Sequence, residues 1–239
     1  MGYDYYGFAP YVSVEELKAR AALLVKKESL NGNILNPVIL ESRVIAKNWW
    51  GKTWISNLES YADYKTRLER GRRYVRANCV VDLRIKGGLV EALVLGSQKK
   101  PYSVGIKIDM LDEEKYESIA LHCSNKIQNL ESLVNGTFPE DLKNLFSNKN
   151  GIFPTMSEIH FGCSCPDWAD MCKHVAAVLY AIGAKFDKEP LLFFTLRGID
   201  VQKLVGGAIQ NKLNLMLQNA DKKTSRIISD ESMTKLFGL

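Results

Sequence analysis

The chain has 239 residues, 46% hydrophobic and 25% charged, the proportions of a folded globular protein rather than a disordered or fibrous one. No stretch nears the roughly 18 consecutive apolar residues of a membrane span, and the opening residues lack the basic-then-apolar pattern of a secretory signal, so a cytoplasmic protein with no membrane partner is expected. The net charge of +5 is mild, but nine Lys/Arg against three Asp/Glu between Arg43 and Arg76 put the whole excess in one segment.

Ser13 is a plausible N-cap, with Glu15 and Glu16 behind it and Leu17, Ala21, Leu24 and Val25 on one face, which predicts a helix over 13–27. Asn31 to Pro37 reads as a loop. The spacing of Trp50, Trp54, Ile55 and Leu58 predicts a second helix from Trp49 to Tyr61 whose tryptophans pack in the core. Three strand-like runs follow, Tyr74–Lys86, Leu89–Leu95 and Tyr102–Ile108. Gly87-Gly88 joins the first two as a hairpin, giving an antiparallel meander with Val80, Leu83, Ile85, Leu93 and Leu95 facing the core. Asp112 opens a helix to about Asn135, and Pro139 a shorter one to Phe146. Ser147–Gly151 reads as a linker. Glu189–Arg197 and Asp200–Leu217 read as helices, and a flexible tail is expected from Asn219.

The residues richest in chemistry are Cys163, Cys165, Cys172 and His174, a C-x-C-x(6)-C-x-H array. Thiolate sulfur and imidazole suit zinc, and four such ligands close a tetrahedron with no position left for water, which marks a structural site rather than a catalytic one. Cys163 and Cys165 project to one side of an extended chain, and Pro166 ends that strand. Val175, Val178, Leu179 and Ile182 then predict a short buried helix. Residues two apart on a helix point to different faces, so Cys172 belongs in the loop before it and His174 in its first turn. A strand end and a helix start thus share the metal in a ββα-like site. His160 is a possible substitute ligand, and Trp168 a cover for the cluster. Cys79 sits in a predicted strand and Cys123 in a predicted helix. A disulfide between them is an alternative, but a thiolate metal site and no secretion signal argue for a reducing interior, and both read as buried free thiols.

This array is similar to the SWIM zinc finger, and Cys163-x-Cys165-Pro166-Asp167-Trp168 and Cys172-Lys173-His174-Val175 resemble its prokaryotic members. The similarity continues in Ala46–Trp54, Arg67–Arg76, Gly96-Ser97 with Pro101-Tyr102, and Pro190–Phe193 with Leu196-Arg197-Gly198. It implies a binding role for DNA or proteins, often beside a Swi/Snf-type ATPase, and supplies no reaction.

The fold class expected is α+β: an N-terminal domain over 1–150 with an antiparallel meander, helices and the basic segment; a ββα-like SWIM finger over 151–186; C-terminal helices over 187–218; and a tail over 219–239. Arg67, Arg70, Arg72, Arg73 and Arg76, flanked by Tyr64 and Tyr74, offer permanently charged forks that suit phosphate oxygens. Lys99, Lys100 and Lys173 could extend that surface. The same arginines could instead lie on a solvated turn or pair internally with Glu59, Asp63 and Glu69. No base-reading pattern appears, so affinity without much sequence preference is expected. There is no nucleotide-binding G-x-x-x-x-G-K-[ST] loop, H-E-x-x-H or nucleophile elbow, and no enzymatic role is expected. The leading expectation is a zinc-stabilised nucleic-acid-binding accessory protein, DNA ahead of RNA, working with a Swi/Snf-type ATPase. The alternative is a protein-interaction adaptor in which the finger and Leu191-Leu192-Phe193-Phe194 dock a partner.

Overall fold

The computed structural model describes residues 12–60, 65–98, 100–123, 130–137, 139–148, 151–167 and 169–203. Its elements run α1 (Val14–Leu30), α2 (Trp49–Glu59), α3 (Lys65–Arg76), β1 (Val80–Lys86), β2 (Leu89–Val94), β3 (Tyr102–Ile108), α4 (Glu113–Cys123), α5 (Leu130–Asn135), α6 (Glu140–Ser147), a 3-10 turn at Met156–Glu158, β4 (Ile159–Cys163), α7 (Lys173–Lys188) and α8 (Leu191–Arg197). The protein is α+β. Its four strands form one antiparallel sheet in the order β1-β2-β3-β4. The predicted meander is present, with Gly87-Gly88 as its first turn and Gly88 at φ +66°, a conformation glycine adopts without strain. Val80, Leu83 and Leu95 are buried, while Ile85 and Leu93 are half-buried.

The strand expected from Tyr74 starts later. Residues 74–76 close α3, and the chain reverses through Asn78 at φ 54°. Asn78 N–H donates to Val75 O at 3.0 Å and Cys79 N–H to Tyr74 O at 3.1 Å, the paired bonds of a left-handed helix stop. Asparagine tolerates that geometry and here also accepts from Leu40 N–H at 3.1 Å. The arginine segment is therefore a helix, not a turn.

The helix expected over 112–135 is described as α4 and α5, with 124–129 outside the described residues. The helix expected over 200–217 is described only at 201–203, and the tail over 219–239 lies outside the described residues. In α8 the expected docking patch turns inward: Phe193 and Phe194 are 0% and 1% exposed, leaving Leu191 at 43% on the surface. Cys79 and Cys123 are buried and form no disulfide, and burial pushes the Cys79 thiol up to about 12. No helix among the described residues is long and apolar enough to cross a membrane.

The centre of the molecule is α7. From His174 to Ala184 every residue is buried, as befits a helix apolar on all sides. It packs against α2 and α3 and touches all four strands. The finger's strand and helix thus share the sheet and core built by earlier residues. Trp50 and Trp54 are buried as expected, donating their indole N–H groups to Leu133 O at 2.9 Å and Leu179 O at 2.8 Å.

The helix crossings use very small residues. A Cβ on Gly71 of α3 would lie 2.5 Å from Ala176 Cβ and 2.7 Å from the Ala176 carbonyl carbon. A Cβ on Gly51 of α2 would lie 2.6 Å from Gly183 O. Asp187, in the last turn of α7, accepts from Lys47 N–H at 2.6 Å and Asn48 N–H at 2.7 Å just ahead of α2. Gly71→Ala gains helix propensity of about 1 kcal/mol, yet the clash outweighs it. Equilibrium denaturation should show a net loss of about 1–3 kcal/mol, the usual range for overpacking; a stabilised variant would mean the two helices do not meet there.

Candidate metal centre

Cys163 ends β4, Cys165 lies in the following turn, Cys172 is the N-cap of α7 and His174 its second residue. The loop-then-first-turn arrangement expected from the two-residue spacing is what forms. The four ligand atoms lie within 4.8 Å of one another, with Cys172 and His174 buried and the other two half-buried. His174 Nδ1 is 3.9 Å from Cys163 Sγ and 3.8 Å from Cys172 Sγ. Zinc bonds of about 2.3 Å to sulfur and 2.0 Å to nitrogen place tetrahedral ligands about 3.5–3.8 Å apart, so the donor set fits that ion. With all four positions taken by side chains, the centre holds structure and leaves no site for substrate.

Local bonds hold the chain around the ligands. Ser164 N–H donates to Ser103 O and Ser103 N–H to Ser164 Oγ, both at 2.9 Å, which anchors the residue between the first two cysteines to β3. Cys172 Sγ accepts from Val175 N–H at 3.5 Å. Its hydrogen bond with Cys163 lowers the thiol pKa against the opposing effect of burial, and contacts from His174 and the helix N terminus add to the lowering. His174 lies between Tyr102, whose ring is 4.3 Å away, and Tyr74, at 5.5 Å. A Cβ on Gly96 would sit 2.5 Å from Tyr102 and 3.0 Å from His174 Nε2. Gly96 and Tyr102 were legible only as parts of the SWIM-like stretches, since nothing in their local pattern points to a metal. His160 is outside the cluster: it is exposed on β4, with Nε2 3.4 Å from Asp109 Oδ2. Trp168 lies outside the described residues.

The basic residues are divided among different tasks. Arg67 forms a 2.5 Å ion pair with Asp167 in the finger loop, and Asp167 also accepts from Ala169 N–H at 3.3 Å. Arg72 pairs with Glu59 at 2.5 Å and donates to Tyr180 Oη at 3.1 Å, so for this arginine the alternative of an internal pairing with Glu59 is present. Arg73 donates to Val12 O, and Arg76 Nε to Arg43 O at 3.1 Å. Arg70 and Lys100 are exposed. Lys173 Nζ lies 5.6 Å from the centroid of the Tyr74 ring. Tyr64, Asp63 and Lys99 lie outside the described residues. Sequence spacing missed Asp167, whose carboxylate joins the finger loop to α3.

Residues 162–183 match the SWIM zinc finger family, and they contain the four clustered ligands. This chain carries a SWIM zinc finger whose Cys3His set is arranged for zinc. Over 163 residues, covering 67% of this chain, it is 34% identical to the uncharacterized protein Rv2102 of Mycobacterium tuberculosis. The match spans 58% of that relative's length. No solved structure matches the chain.

Proposed function

We propose that this protein is a zinc-stabilised nucleic-acid-binding accessory factor, with DNA the favoured ligand, and that it performs no catalysis of its own. The observation that carries this reading is the packing of the basic helix α3 along α7, with Arg67 bound to Asp167 inside the finger loop. Metal loading and the presentation of a cationic surface are thereby parts of one structure. A Swi/Snf-type ATPase is the proposed protein partner, in keeping with the company SWIM fingers keep; the motor would be a separate chain. The adaptor reading loses its apolar patch, because Phe193 and Phe194 are in the core.

Gel shifts with duplex and single-stranded DNA at two salt concentrations test the proposal. Binding should weaken steeply with salt, by about 0.9 log units per phosphate contact for each log unit of salt on duplex DNA. No shift at low salt with either DNA, from zinc-loaded protein, would refute it. Arg72 and Arg73 make bonds within the fold, so reversing their charge perturbs structure as well as surface.

A further inference from the structure

We infer that the polyanion-gripping surface is a cleft between α2, the C-terminal end of α3 and the segment Arg43–Ala46, with Arg43, Lys52 and Arg76 as its phosphate-binding cations. This inference rests on the nucleic-acid reading above and assigns it a place. The cleft is open, about 830 Å³, and Arg43, Lys52, Arg72, Arg76 and Glu59 line it. Among the described residues of that lining Glu59 is the only acidic one, and it is already engaged by Arg72 at 2.5 Å and Tyr180 Oη at 2.7 Å.

Three cations remain. Arg43, Lys52 and Arg76 are all exposed, and none forms an ion pair with a described acidic residue. Arg76 Nε donates to Arg43 O at 3.1 Å, which ties two of the three cations together, and its other donors meet no acceptor among the described residues. Cations left unpaired around a concave surface focus a positive potential into it. Arg72 differs in kind: its charge is spent on Glu59, and its guanidinium carbon lies 5.4 Å from the centroid of the Tyr180 ring, Tyr180 being a residue of α7.

The apolar part of the lining selects among anions. Val44, Ile45, Ala46 and Ile55 line the same cleft as the cations, and Val44 is 56% exposed. A small free anion gains nothing from that strip. A sugar–phosphate backbone presents phosphates with less polar sugar faces beside them, and so suits a lining that combines charge and hydrocarbon. Among the described residues of the lining none is aromatic, so they offer charge to the backbone's phosphates rather than a stacking surface to the bases. The ligand assigned is a nucleic-acid backbone, read without sequence.

The test is titration of fluorescent duplex and single-stranded DNA with zinc-loaded wild type, Arg43→Glu/Lys52→Glu, and a matched control, Lys26→Glu/Lys107→Glu, whose cations are exposed elsewhere on α1 and β3. Loss of two phosphate contacts should weaken duplex binding roughly 50-fold near 0.1 M salt and reduce the salt slope by about 1.8, while the control stays within a few-fold of wild type. Excess inorganic phosphate at matched ionic strength should not displace the DNA. Wild type that binds, with a cleft variant that binds equally well, overturns the cleft and leaves the nucleic-acid reading standing. Equal losses in cleft and control variants reduce the effect to overall charge and also overturn it. Wild type that fails to bind sinks both readings, and displacement by phosphate would overturn the backbone assignment. If the Glu pair lowers zinc content or melting temperature, Arg43→Gln/Lys52→Gln removes the charges without reversal and is judged by the same slope.

Discussion

Cys165→Ala should lose bound zinc and unfold the finger loop, with a fall in melting temperature larger than any single surface change produces. The apparent binding free energy of structural zinc, about 10–16 kcal/mol in small fingers, rivals the whole stability of an ordinary domain at about 5–15 kcal/mol. Here a bound metal would join the end of β4 to the N terminus of α7, and α7 is buried along almost its entire length. Release therefore exposes the start of the central helix, and three half-buried or buried ligands lose their common partner. Cys165 is the informative choice because it is half-buried in the turn, so its truncation disturbs the apolar core least. Metal analysis and a thermal melt are the readouts; full zinc occupancy with unchanged melting would reject the ligand assignment.

The second large effect is expected at Arg197, whose side chain has no exposed surface. Its Nε donates to Ile152 O at 2.9 Å, Nη1 to Asp109 O, and Nη2 to Glu158 Oε1 at 2.9 Å. One guanidinium thus fixes the start of the segment after α6, the end of β3 and the 3-10 turn before the finger strand. Arg197→Met fills much of the volume but leaves two carbonyls and a carboxylate without that partner. Breaking a buried pair from one side costs about 3–5 kcal/mol, and urea midpoints at neutral pH should show it. An unchanged midpoint would mean the three contacts contribute no net stability.

Acid should reveal the same network. Burial favours the neutral form of Glu158, but the Thr155 N–H and the Arg197 guanidinium outweigh it and hold the carboxyl below its usual range. A lowered folded pKa means the stabilisation is complete above the ordinary carboxylate value and disappears as pH drops through the lowered one. The wild type should therefore lose stability in acid more steeply than Arg197→Met, in which part of that contribution is already gone.

The metal centre was legible because its chemistry is local: four ligands within twelve residues, with helical geometry dictating which two could share a turn. Gly87-Gly88 and the tryptophan stripe were legible for similar reasons. The arginine segment was harder. Its composition announces a charged surface, but Leu68, Gly71, Tyr74 and Val75 at helical spacing form a buried face beneath the charges, and that face decides the structure. The β-like Tyr74-Val75 hid the helix end, which is marked only by Asn78. Arg197 and Asp187 were invisible as structural groups because their partners lie far away in sequence, at Asp109 and Ile152, and at Lys47 and Asn48. Leu191–Phe194 misled in the opposite direction, since an apolar run announces burial without saying whether its own chain or a partner covers it.

The glycine crossings on α7 have a mechanical consequence. Where main chains touch, no rotamer is available to absorb a movement, and a close-packed interior passes displacement on. The ligand cluster sits at one tip of a rod about 24 Å long; Gly71 and Gly51 meet it further along, and Asp187 clasps the far tip to the start of α2. A displacement of α7 would therefore be handed on to α2 and α3 through main-chain contact rather than taken up by side chains.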